Sequence, residues 1–472
     1  MLTYPDPLRR PVLITRWARL FAVHVLATSG VGAQRIAPPT PTRASCTTRQ
    51  PAVAVQQTIA VNYAVNRFDA WIANQDWARV GFESWGRNIK LGWEWDENSF
   101  ATNMFMHPFH GAAYFNTGRT HCLSYWESVP LVFLGSWTWE YFAETYRPSL
   151  NDFFMTSFGG IALGEITHRV AATIRDEQAD GTGRILREIA ATLVNPVTGL
   201  NRLYHGDWTR IGDNPSEHDP GAFILRFDVG LRSLSEDATR FKSGAPFMQL
   251  GIGYGDPFTT PYKAPFDVFS LEAQVALDGS GLNVLQGAGR LYEMPLPGWG
   301  RGIRHALTVS HRYDYLSKPV YSFGAQSIEV GVLSNFPLSA QTALRTRVGG
   351  DVVVLGAIGS PHGGFGERDY DFGPGAGATL ELSLLRRGRQ VVTLTNRAEY
   401  LHTVSGPAGD HLIAFSTLEA NLGIGDRWGV GIRLNGDSRT SKYLDAETDT
   451  KQFGEAQLVV SWITRSRPAV TP

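Results

Sequence analysis

The sequence predicts an α+β, multi-domain protein: a small all-α helical domain followed by an antiparallel transmembrane β-barrel of about 12 strands. Three observations in the 472 residues predict it. Ionisable and amide side chains recur inside otherwise apolar, helix-like sequence between residues 98 and 169, where each must be paired or hydrogen-bonded to be tolerated. From Ala222 onward the hydropathy period changes to two. Charged residues make up only 18% while aromatics reach 11% and glycine counts 50, a texture that suits a barrel in lipid.

The N-terminus carries Arg9, Arg10, Arg16 and Arg19, then the apolar run Leu20 to Ala33, which ends in small residues. That order predicts a secretory signal peptide over 1–33, cleaved after Ala33. The alternative, a short membrane anchor, is disfavoured because the run is under the roughly 18 residues a spanning helix needs and contains His24. Residues 34–97 read as linker and lead-in. Cys46 lies in a Pro/Thr/Arg-rich stretch, so no structural disulfide with Cys122, the only other cysteine, is expected. Arg43-Ala44-Ser45-Cys46 lacks the apolar residue that precedes a lipidated cysteine, so no lipid anchor is expected either. Lys+Arg 43 against Asp+Glu 44 provides no basic field, which argues against a nucleic-acid partner; charge itself predicts no partner, and the expected barrel implies outer-membrane lipid.

The helical domain is expected over 98–210. Pro108 suits a first turn, so a helix starts near His107 and runs toward Thr117. A second runs from about Tyr125 to Tyr146, bent or started at Pro130 and stopped by Pro148. Ser149 is a good N-cap for a third, to about Ile174, and a fourth covers Thr182 to Leu193. The barrel is expected over 221–464. In its first strand Phe223, Leu225, Phe227, Val229 and Leu231 alternate with Ile224, Arg226, Asp228, Gly230 and Arg232, and about 11 similar segments follow, giving the even number usual for such barrels. Leu225 and Phe227 are placed toward lipid. A soluble sandwich or lipocalin-like barrel is the alternative, which alternation alone does not exclude. Tyr254, Tyr262, Tyr292, Trp299, Tyr313, Tyr315, Tyr321, Tyr400, Trp428 and Trp462 are read as interfacial girdles.

Positions 98–207 resemble the bacterial domain-of-unknown-function family 3943. The motifs are Asn103-x3-His107-Pro-x-His110-Gly111-x2-Tyr114-Phe115-Asn116-x2-Arg119, Trp126-Glu127-Ser128, Trp139-Glu140-Tyr141-x2-Glu144, Pro148-Ser149-x-Asn151-Asp152, Gly159-Gly160-x3-Gly164-Glu165 and Asn195-Pro196-x3-Leu200-Asn201-Arg202. The resemblance implies an exported envelope protein of a Gram-negative bacterium, with a helical domain preceding a barrel. It implies no established activity.

The candidate catalytic residues are His107, His110, Glu140, Glu144, Asp152, Glu165 and His168. Helical spacing puts Glu140 and Glu144 on one face, and Asn151, Glu165 and Arg169 on one side of the next long helix. Packing the two would gather three carboxylates and a histidine. Glu165-x-x-His168 has the spacing of di-iron bundles, to which Glu140 and Glu144 would add further oxygens; the sequence names no metal and no cofactor. The preferred reading is a structural lock, since a lone Glu-x-x-His is common by chance and the di-iron pattern needs a second such motif. Asn103, Asn116, Arg119, Glu127, Asn151 and Arg169 are assigned to that network, with arginine pairing carboxylates. Capping explains Asp152 most simply. No nucleophile elbow, phosphate loop or dinucleotide fingerprint is present. Function is therefore read as an outer-membrane barrel with a periplasmic-side helical domain, in envelope maintenance or small-solute passage. The alternative is an envelope lipid- or glycan-modifying enzyme built on the His/Glu cluster.

Overall fold

Helix formation begins earlier than the sequence suggests. The computed structural model describes residues 48–465 except 176–178, 210–219, 236–243, 299, 301, 319–320 and 363–367; the expected signal peptide, its cleavage site, Cys46 and Trp299 lie outside these. Where linker and lead-in were expected, α1 (Pro51–Trp71) and α2 (Phe82–Leu91) form. The reason they were missed is their inverted polarity. Ala54, Thr58, Asn62, Asn66 and Ala70 recur every four residues on the buried side of α1, while Val53, Ile59, Phe68 and Trp71 are exposed. Polar groups on the inside obscure an amphipathic pattern. Asn62 Nδ2 donates to Gly135 O at 2.9 Å, and Asn66 Nδ2 to Ala78 O at 2.8 Å and Ala143 O at 2.7 Å.

A π-helical turn (Thr102–Met106) leads into α3 (His107–Thr120), and α4 covers Tyr125–Phe142. Ser124 caps α4 in a reciprocal box with Glu127: Ser124 N donates to Glu127 Oε2 at 2.9 Å and Glu127 N to Ser124 Oγ at 3.4 Å. The expected third helix is two, α5 (Leu150–Phe154) and α6 (Gly160–Arg175), joined by a π-turn over Met155–Gly159. Then come α7 (Gly181–Val194) and α8 (Pro196–Tyr204). Cys122 is disulfide-bonded, which corrects the expectation of no disulfide. The chain before α1 is docked rather than linker-like, since Gln50 N donates to the neighbouring His121 O at 3.1 Å.

Glycines set the helix spacing. A methyl on Gly111 of α3 would overlap Thr156 O, one on Gly160 would overlap Gly111, and one on Gly164 would press on Phe115 at 2.6 Å. Gly160-x-x-x-Gly164 therefore lets α6 lie backbone to backbone against α3, the small-residue packing that membrane helices use.

Twelve strands close an antiparallel barrel, as expected: β1 Phe223–Ser235, β2 Ala245–Tyr254, β3 Phe269–Ala276, β4 Gly281–Leu296, β5 Arg304–Ser317, β6 Ser322–Ser339, β7 Thr342–Gly359, β8 Tyr370–Arg386, β9 Arg389–His402, β10 Gly409–Ile424, β11 Trp428–Tyr443 and β12 Asp449–Arg465. β1 closes on β12, with Phe227 opposite Trp462. The start of β1 and the end of β12 lie at one rim, here the terminal rim, together with the two-residue turns after β6 and β8; the other is the distal rim. Arg226 and Asp228 face the lumen with Gln249 and Glu419, while Leu225 and Phe227 face out, as read from the alternation.

The helical domain is seated on the outward face of the barrel wall, not beyond a rim as a periplasmic-side domain would be. Arg312 and Asp314 line the lumen, so their neighbours His311, Tyr313 and Tyr315 point outward, and there they meet helices. Tyr313 OH donates to Met104 O at 2.6 Å, Tyr315 stacks on Phe100 with centroids 5.4 Å apart, and the Cβ direction of Gly287 points at Ile166. On β7, Leu355 and Ala357 are buried beneath the bundle, whereas Val348 and Val352 of the same face are 56% and 62% exposed. Tyr254, Tyr313 and Tyr315 are thus interface residues rather than girdle residues, while Tyr292, Tyr400 and Trp428 stay exposed. Tyr321 packs inside the lumen with Phe415 and Phe453.

Candidate acid–base site

The predicted residues divide into two groups that the helical spacing alone had merged. At the terminal-rim end of the bundle, Glu165 is fully buried between two guanidinium groups, with Arg169 Nε at 2.7 Å and Arg119 Nε at 2.9 Å. Arg169 also donates from Nη2 to Pro265 O at 3.0 Å, in the connection between β2 and β3. His168 is buried beside Arg169 in sequence. Asn116 Nδ2 donates to Ala112 O at 2.8 Å and Thr167 Oγ1 at 3.1 Å, while its Oδ1 accepts from Asn195 at 2.8 Å. A carboxylate matched by two arginines is a lock, and Glu188 repeats it with Arg184 and Arg202.

The second group gathers near the distal rim. Ser149 caps α5 by accepting from Asp152 N at 3.3 Å, which fixes Asp152 in the first turn. Its Oδ2 then lies 3.4 Å from His107 Nε2, at the start of α3. Glu140, near the end of α4, accepts from Ser149 N at 2.8 Å, and Glu144 accepts from Trp139 Nε1 at 2.5 Å. His110, one turn after His107, lies against Tyr114 and Trp139 with ring centroids 4.7 and 4.6 Å away; its buried Nε2 has no hydrogen-bond partner. The expected convergence of Glu140 and Glu144 with Glu165 does not occur. Asp152, from the start of the α5–α6 segment, takes that place instead.

Two members were invisible in the sequence. Asp96, in the presumed lead-in, accepts from Asn151 Nδ2 at 2.5 Å and Asn103 Nδ2 at 2.8 Å. Tyr370, at the distal end of β8, accepts from Asn103 Nδ2 at 2.7 Å and donates to Asn98 O at 2.9 Å. Only the docking of the bundle on β8 brings it there. Arg368 reaches the same place, donating to Asp96 O at 3.3 Å.

Asp152 lies within the electrostatic field of Asp96, Glu140 and Glu144. Among the described residues no lysine or arginine forms an ion pair with any of these four carboxyl groups, and His107 is the one basic partner. Glu140 and Asp152 are buried and Glu144 is half-buried; carboxylates gathered there without counter-ions cannot all be charged at once, so these three must share protons. The arrangement can therefore donate and accept protons at one place. Among the described residues no three His, Cys, Asp or Glu side chains are arranged as a metal-ligand set.

The lumen has a different character. A cavity of about 1990 Å³, lined by many arginines, extends inward from the terminal rim. Beyond it, inward-facing Tyr321, Phe323, Phe415, Phe453, Leu401 and Ile413 pack together. Lys318 Nζ lies 2.9 Å from Asp437 Oδ2 beside them.

A closed antiparallel barrel with a polar interior and an apolar outer surface defines the class: a transmembrane β-barrel, here with a helical domain docked on its wall. Residues 92–197 match the family described as Domain of unknown function (DUF3943). No curated protein matches the chain. Among solved structures, Pseudomonas aeruginosa OccK1 (OpdK) is similar at 10% identity over 52% of this chain and 98% of that one, with a TM-score of 0.20. The NanC porin is similar at 8% identity over 49% and 98%, with a TM-score of 0.25, and the KdgM porin in complex with disordered oligogalacturonate at 9% over 50% and 98%, with a TM-score of 0.22. The assignment of a transmembrane barrel rests on the strand closure and surface polarity of the chain itself.

Proposed function

We propose that this is an outer-membrane protein of a Gram-negative bacterium whose working part is the distal-rim group in the helical domain. His107 and Asp152 form its acid–base pair, with Glu140 and Glu144 as proton-sharing neighbours, Asp96 held by Asn103 and Asn151 at its edge, and His110 as a second base. The observation that carries the reading is the contrast between carboxylates. Glu165 and Glu188 each hold two arginines, as structural carboxylates do, whereas the four distal-rim carboxyls hold none. Unmatched buried acids such as Glu140 and Asp152 cost stability and are kept where chemistry uses them.

Two-residue turns favour the periplasmic side of such barrels, and with the terminal rim there the group lies on the outer side of the membrane. Its substrate is then a headgroup or glycan linkage of an envelope lipid, and the reaction a hydrolysis or transfer driven by proton movement. The apolar packing of Tyr321, Phe323 and Phe415 across the lumen argues against free solute passage as the main role.

Lipid extracts from a deletion strain complemented with the parent or with Asp152→Asn test it. A lipid species altered by the parent and unaltered by a normally assembled Asp152→Asn protein is the expected result. Identical lipid profiles from both would end the enzymatic reading.

A further inference from the structure

Helices α1, α7 and α8 carry polar groups on their inner faces and apolar groups outside. On α7, Arg184, Glu188 and Ala191 are buried, while Ile185, Ile189 and Leu193 are 42–56% exposed. α8 buries Thr198 and Gly199 and exposes Leu200 and Leu203. On α1, Thr58 and Asn62 turn inward to Thr117 and Gly135, and Ile59 and Tyr63 turn outward. A domain standing in water would have the reverse arrangement.

The position of the domain identifies what covers these faces. It sits on the outward side of β4 to β8, and the exposed apolar residues of the barrel continue past it, with Val330, Val348 and Val352 on one flank and Val229 and Leu250 on the other. A bilayer that meets this belt also surrounds the bundle. α1, with 21 residues, is about 31 Å long at about 1.5 Å per residue, close to the roughly 30 Å hydrocarbon layer. α1 packs on α3 and α4, and α3 in turn meets α6 through Gly111, Gly160 and Gly164, as helices do where lipid offers no hydrophobic gain from association. Among the described residues no helix is long and apolar enough to cross a membrane by itself.

We propose that the helical domain is immersed in the bilayer beside the barrel, with lipid acyl chains packed on the outer faces of α1, α7 and α8. The inward amides and ion pairs are satisfied within the bundle, and β4 to β8 supply the rest of its enclosure. The distal-rim group then opens at headgroup depth to lipids arriving sideways. Immersion rests on the membrane barrel and is independent of any chemistry at that group.

Single-cysteine variants test it, since the described chain has no free thiol. Ile59→Cys, Ile189→Cys, the barrel-belt control Val460→Cys and the water-exposed control Asp76→Cys are placed in nanodiscs holding one copy each, after heat-modifiable migration confirms assembly. Immersion predicts that Ile59→Cys and Ile189→Cys react with a charged maleimide at least about tenfold more slowly than Asp76→Cys, as Val460→Cys does, because a thiol ionises poorly in hydrocarbon. Rapid reaction at 59 and 189 with Val460→Cys protected overturns immersion and leaves the barrel standing. Rapid reaction at Val460→Cys removes the membrane barrel itself. Protection at 59 and 189 that appears only when two copies share a disc assigns the face to a second copy of the chain and equally overturns immersion.

Discussion

Arg169 donates to the carbonyl of Pro265 at 3.0 Å while its Nε holds Glu165 at 2.7 Å, so one guanidinium ties the helical domain to the barrel. It also lies over the Tyr254 ring, 5.7 Å from the centroid. The bundle and the wall are joined by a buried, charge-matched contact.

Glu165→Gln should therefore destabilise, because Arg119 and Arg169 lose their shared counter-charge while remaining buried. Breaking such a pair costs about 3–5 kcal/mol. The measurable outcome is a lower unfolding temperature and reduced assembled protein, by gel shift on heating. An unchanged melting temperature would show that the pairing contributes little.

Asp152→Asn and Glu140→Gln should behave in the opposite way. Each removes a potential charge from a group that has too many, so the melting temperature should hold or rise while activity is lost. A melting temperature that falls as far as that of Glu165→Gln would make this group a second lock.

Gly111→Val tests the helix spacing. The new side chain would collide with the backbone of Thr156 and Gly160, which no rotamer relieves. Overpacking costs typically about 1–3 kcal/mol, and backbone contact places this change at the upper end. Proteolysis of the helical domain should increase while the barrel stays heat-modifiable.

The inward aromatic packing gives a conductance prediction. The parent in a planar bilayer should conduct little, and Phe323→Ala with Phe415→Ala should raise conductance several-fold by opening a path from the arginine-rich cavity to the distal rim. A large conductance already present in the parent would restore solute passage as the leading function.

One pH effect lies outside the membrane. In the turn between β3 and β4, burial pushes the Asp278 carboxyl up, but hydrogen bonds from Ser280 and the guanidinium of Arg232 outweigh it and hold it at about 2. A depressed folded value contributes stability that is present above the unfolded value of about 3.9 and lost as pH falls toward about 2. The carboxyl is partly exposed, so the screened contribution is about 1 kcal/mol or less. Asp278→Asn should melt slightly below the parent at pH 6 and alongside it at pH 2.

The sequence by itself determined the elements. Period-two alternation specified twelve strands and the inward placement of Arg226 and Asp228, because side-chain alternation is a local consequence of strand geometry. Pro108 and the cap Ser149 marked helix starts for the same local reason. Helix α1 escaped because its buried face is made of alanine, threonine and asparagine, a pattern read as core only when the surroundings are apolar. What only tertiary structure decided is which charges meet. Glu165 and Glu140 look alike at helical spacing, yet one faces two arginines and the other faces Asp152, Asp96 and Glu144. Helix packing and the docking of the bundle on β8 set that difference, placing Tyr370 beside Asn103 across 267 residues of sequence. Side-chain period reports which way a residue points along its own element, and it contains no information about the partner on the other side.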